Sequence, residues 1–233
     1  MKSQLPNAAR GSQQEIVKLI VGPSQTNYYI HMHIICCESA VMKAAFNSDF
    51  KEGKEKAMEL EHIDEEVFEI IMHWMYTREL PGPNSEKRWK IQMSEDEEGD
   101  EVEFMWDFLM SSAYVFAKDF DMPLLASGIH SLFEERFQTL SCPRIATICR
   151  LFDNVPEDAW LCQLFVNQFA AYWRRDCASD ADKKLFQYLP IAFFEQAFNA
   201  FAERRDGTES QMCASSSSSE GVSDVTPAPS PEI

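Results

Sequence analysis

The chain has 233 residues, 38 acidic against 21 basic, for a net charge of −17; nucleic-acid binding rests on neutralising phosphates with Lys and Arg, so this balance argues against DNA or RNA and for a basic protein partner. Hydrophobic residues make up 45% and include seventeen Phe, enough for a helix-rich core, and no apolar run reaches the roughly 20 residues of a membrane span, so no membrane association is expected. Residues 1–14 are too polar for a secretory signal, which makes the seven Cys reduced thiols and the expected location intracellular, cytoplasmic or nuclear.

In chain order, residues 15–21 (EIVKLIV) form a β-branched run closed by Gly22-Pro23, and residues 27–30 repeat the signal after a polar turn. This predicts a strand–turn–strand hairpin at one edge of a small sheet. Ser39 precedes good helix formers from Ala40 to Phe46, so its hydroxyl is the expected N-cap. Val67, Ile70, Ile71, Trp74 and Met75 fall at i, i+3, i+4, i+7 and i+8 of a helix opened by Asp64, a stripe that should face the core. Residues 82–103 are rich in Pro, Gly and charge and end in SEDEEGDEVE, a self-repelling run that predicts an exposed acidic loop. From 104 to 205 the pattern is one amphipathic helix after another. Trp160, Leu161, Leu164, Phe165, Gln168, Phe169 and Tyr172 share one face, and Ile191, Phe194, Ala197, Phe198 and Phe201 another; both are expected to be core. Residues 206–233 turn to a low-complexity Ser/Pro tail that should be disordered.

Catalytic and metal chemistry finds little to stand on. His31, His33, Cys36 and Cys37 form the one metal-like cluster, but a strand entering a helix makes their side chains diverge, and Cys36 and Cys37 read as small packing groups. There is no Cys-x-x-Cys and no Gly-x-Ser-x-Gly, and the acid pairs Glu65-Glu66 and Glu134-Glu135 read as solvated helix charge. The expectation is a protein that is not an enzyme and needs no cofactor, metal or small-molecule substrate.

Residues 28–81 give the order strand, helix, capped helix, short strand, and a helix ending in Trp74-Met75-Tyr76-Thr77 before Pro81. That order, with its spacings, closely resembles a BTB/POZ domain, whose pattern is F-x-V-H-x-x-L-L-x-x-x-S-x-x-F, a short strand, and F-E-x-x-L-x-W-x-Y-T-G-x-L-P. His31 occupies the family's histidine position and is read as structural. Glu15, Ala40 and Arg78 stand where the family usually has Asp, Pro and Gly; Gly at the last position accommodates a positive φ that a long side chain tolerates poorly. Residues 104–125 resemble the Y-x-F-A-x-x-x-x-I-P-x-L signature that follows many such cores, through Tyr114, Phe116, Ala117, Met122, Pro123 and Leu125. The helices after it look like the extension of fungal BTB proteins.

The resemblance implies an α+β fold with a BTB/POZ core at 15–81 and an all-helical extension at 104–205, acting as a protein–protein interaction module. Phe50-Lys51-Glu52 is similar to the hydrophobic-x-Glu element of adaptors of cullin-type ubiquitin ligases, which implies a cullin contact through Phe50, with Glu52 and the turn around Tyr76 as support. The alternative is a self-associating scaffold or regulator without a ligase, since no kelch, MATH or zinc-finger pattern is present. The family's dimer surface implies self-association through Ile34 or Ile35. Here the short, polar segment 1–14 leaves little to exchange, so a monomer or weak homodimer is expected.

Overall fold

The computed structural model describes residues 15–82, 100–138, 142–174 and 180–216; of 100–104, 180–182 and 206–216 only the backbone is described. Strict alternation shapes the first strand. Val17, Leu19 and Val21 of β1 (Ile16–Val21) point to one face and are fully buried, while Ile16 is half exposed. β2 (Thr26–His31) pairs antiparallel with β1, from Ile16↔His31 to Val21↔Thr26, and completes the expected hairpin. Gly22 makes the turn possible: its φ is 72°, in the left-handed region, and a Cβ there would lie 3.2 Å from Glu65 Cγ. β3 (Ala57–Leu60) adds parallel to β1 on its other side, giving the order β2-β1-β3.

The crossover between β2 and β3 consists of α1 (Met32–Glu38), α2 (Ala40–Phe46) and α3 (Lys51–Glu55). Ser39 caps α2 as expected, its Oγ accepting from the Met42 N–H at 3.0 Å. α4 (Glu65–Thr77) buries the whole expected stripe, together with Phe68. Asp64 holds the N-cap position of α4, but its side chain makes no capping bond.

A helical region follows: α5 (Asp100–Asp119), α6 (Pro123–Phe137), α7 (Ile145–Asn154), α8 (Trp160–Tyr172), α9 (Asp180–Leu185), a 3₁₀ turn at Phe186–Tyr188, and α10 (Ile191–Ser216). The α5–α6 junction explains the signature read there. Asp121 takes φ 49°, Met122 N–H donates to the Ala117 carbonyl at 2.8 Å and Asp121 N–H to the Lys118 carbonyl at 3.4 Å, a left-handed helix stop, and Pro123 starts the next helix. Tyr114, Phe116, Ala117, Met122 and Leu125 are all buried at this corner. Sheet and helices share one apolar core that runs from Val17 through Phe68 and Phe116 to Phe193.

The structure departs from expectation in several places. Residues 83–99 of the predicted acidic loop lie outside the described residues, and from Asp100 the chain is already helical. α10 continues through Gly207 to Ser216, past the boundary set at 206, because extending a formed helix needs only one residue fixed per bond gained; residues 217–233 lie outside the described residues. On α8, Leu161, Phe165, Gln168 and Phe169 are buried, but Trp160 is exposed and stacks on His130. On α10 the expected core face is the wrong one apart from Ala197: Phe193, Ala197 and Ala200 are buried, while Ile191, Phe194, Phe198 and Phe201 are exposed. Either face satisfies a 3.6-residue period, and the packing of α8 against α10 selects between them.

Candidate protein-interaction site

Phe50 sits where the turn after α2 enters α3. Ser48 Oγ donates to the Ala45 carbonyl at 2.7 Å and accepts from Phe50 N–H at 3.2 Å, and Lys54 N–H returns to the Phe50 carbonyl at 3.1 Å. Gly53 allows α3 to lie against this turn, since a Cβ there would fall 1.9 Å from the Ser48 carbonyl oxygen. The backbone is thus held on both sides of Phe50, while its ring is 76% exposed. An aromatic on a fixed backbone needs little further ordering on binding, which suits an anchor for a partner. Glu52 lies half-buried in the first turn of α3, where a carboxylate is favoured by the helix dipole. The structure therefore brings Phe50 and Glu52 together on one turn.

Tyr76 is held at the end of α4. Its hydroxyl accepts from the His31 backbone N–H at 3.3 Å and pairs with His31 Nδ1 at 2.9 Å, tying the last turn of α4 to the β2–α1 junction. Its ring remains 46% exposed. His31 is thus a structural tie, as read from the sequence. Of the two residues assigned to self-association, Ile35 is only 1% exposed and lies in the core, so it has no surface to offer; Ile34 is half-buried.

The pairing that the sequence concealed is at Arg78. It does adopt the positive φ, 65°, that a Gly would take, and its N–H closes α4 on the Trp74 carbonyl at 2.8 Å. Its guanidinium forks onto both carboxylate oxygens of Glu38 and lies 4.6 Å from the centre of the Trp74 ring. The Glu38 side chain is nearly buried, so this charge-assisted fork offsets the strain of a long side chain in the left-handed region. No spacing rule links Glu38 to Arg78, and no local signal marks the pair.

The neighbouring cysteines line an open cleft of about 260 Å³ with Lys43, Asp121, Pro123 and Leu124. Burial, and then the neighbouring Cys37, push the Cys36 thiol above its usual range, and burial pushes Cys162 up to about 12. A raised thiol pKa disfavours the thiolate, which is the nucleophilic form, so neither is primed for attack.

The arrangement is a small sheet and helices presenting an exposed aromatic beside a carboxylate. No curated protein matches the chain. The family model of the BTB/POZ domain does match, over residues 13–91, a span that includes β1 to β3 and α1 to α4, so this N-terminal part of the chain is similar to a BTB/POZ domain.

Proposed function

We propose that this protein is an intracellular interaction module, cytoplasmic or nuclear, whose BTB/POZ domain docks a cullin-type ubiquitin-ligase scaffold, with the helical region, in the manner of the fungal extensions it resembles, available to a client. BTB/POZ domains act by binding proteins and associating with one another, generally without catalysis. The observation that carries the finer reading is the exposure of Phe50 on a turn braced by Ser48 and Gly53, next to Glu52. Phe50 is the anchor, Glu52 supplies a charge for a basic partner, and Tyr76 supports through its exposed ring. Truncating a hot-spot aromatic costs at least about 2 kcal/mol, a thirtyfold loss of affinity. Calorimetric titration of a cullin N-terminal region into wild type and Phe50→Ala tests this. Binding by the wild type and at least a thirtyfold loss in the variant are expected; no binding by the wild type removes the cullin, and equal affinities remove the anchor.

A further inference from the structure

The last described helix carries a second apolar row that the described residues leave partly exposed, with only Phe201 reaching an aromatic of another helix, Phe169 of α8. α10 turns Phe193, Ala197 and Ala200 inward, yet Ile191, Phe194, Phe198 and Phe201 are 77, 45, 75 and 41% exposed. They stand at the alternating three- and four-residue spacing of a helix built to pack against another helix. The apolar row ends at Phe201, since the next positions at this spacing are Arg205 and Thr208. Isolated exposed apolar side chains need no explanation, but a continuous row does.

We infer that this row is a self-association surface, through which two copies of the chain pair by their α10 helices in antiparallel fashion about a two-fold axis. The area is of the right order. With roughly 200 Å² per large side chain, the exposed fractions leave about 450 Å² of apolar surface per copy, and about 900 Å² for two, to which a polar rim adds; the smallest specific interfaces bury about 1,000 Å². The chain's other segments fit poorly. Residues 217–233 contain no aromatic and only Val222, Val225 and Ile233 as large aliphatics, too little to fill a row of three Phe. Residues 83–99 hold Trp89, Ile91 and Met93, but at a two-residue period that does not mesh with a helical row. A second α10 has the matching period by construction, and a two-fold axis lets one surface serve both partners. With Phe198 of each copy against Phe201 of the other, Phe194 faces Arg205 of the second copy, which brings Glu195 and Arg205, of opposite sign, near one another. The row is on a different element from Phe50, so self-association and cullin binding are separate properties.

Sedimentation equilibrium of the full chain tests the inference. The wild type should dimerise at micromolar concentration, Phe198→Leu should match it, and Phe198→Asp should weaken the dimer by at least tenfold while melting at an unchanged temperature, because the side chain is exposed in a single copy. Phe50→Ala should leave the dimer intact, so that loss of cullin binding and loss of self-association are read independently. A wild type that stays monomeric at hundreds of micromolar overturns the inference. So does a dimer that Phe198→Asp leaves unchanged, or one broken by Ile34→Asp alone, which would put the contact on α1.

Discussion

Arg78 shows how a residue that violates a local preference is retained by a distant partner. Its left-handed backbone costs roughly 1 kcal/mol relative to Gly, while separating Glu38, a nearly buried carboxylate, from the Arg78 guanidinium costs about 1–3 kcal/mol. Arg78→Ala should therefore destabilise the fold by about 2 kcal/mol, keeping the strain and losing the fork. Arg78→Gly should recover about half of that loss, because the strain goes too. Urea unfolding should rank the proteins wild type, Arg78→Gly, Arg78→Ala; a glycine variant as stable as the wild type would show that the fork contributes nothing net. From the sequence Arg78 looked like a poor fit because only its own backbone requirement was visible. Glu38, forty positions earlier, carries no mark of the pairing.

At the level of elements, two capping positions that look alike in the sequence behave differently. Ser39 accepts from Met42 N–H and also donates to the Phe120 carbonyl, so one hydroxyl both starts α2 and fastens it to the end of α5. Asp64 occupies the same position on α4 with no side-chain capping bond. Ser39→Ala should cost about 2–3 kcal/mol, a cap of about 1 plus a carbonyl left without its donor, whereas Asp64→Ala should stay within about 0.5 kcal/mol. Matched thermal melts of the two variants decide it, and equal losses would remove the distinction. The hairpin, the Ser39 cap and the α4 stripe were legible because each is decided within a few residues by alternation, a hydroxyl before a helix, or a 3.6-residue period. α10 was not, because it has apolar residues on two faces and only its packing on α8 settles which is inside. For the candidate site, Phe50-Lys51-Glu52 could be read as a motif, but the exposure of Phe50 depends on how Ser48 and Gly53 fold the turn.

For the whole molecule, acid stability follows from a buried imidazole. His130 lies beneath the exposed ring of Trp160 at 4.0 Å, with Glu134 at 3.5 Å from its Nδ1. Burial lowers its pKa from 6.5, and the Glu134 carboxylate opposes that only in part. The unfolded chain takes up a proton near pH 6.5 that the folded chain resists, so this contribution is fully present above that pH and is lost as the pH falls below it. Melting temperatures measured from pH 7.5 down to pH 5.5 should fall more steeply for the wild type than for His130→Gln, by about one pKa unit's worth, 1.4 kcal/mol, at most. Parallel curves would show that His130 does not contribute to the slope.

The apolar core does not stop where the BTB/POZ match stops. Phe68 on α4 meets Phe116 on α5 edge to face at 6.3 Å, and Trp106 Nε1 donates to the Pro81 carbonyl at 2.9 Å. The two halves of the chain therefore share one core, and this governs how genetic variants of it are to be interpreted. A substitution at Phe116 or Trp106 that abolishes binding at the far end of the molecule identifies a beam of the frame, and only changes on exposed side chains such as Phe50 or Phe198 can identify a hand that grips.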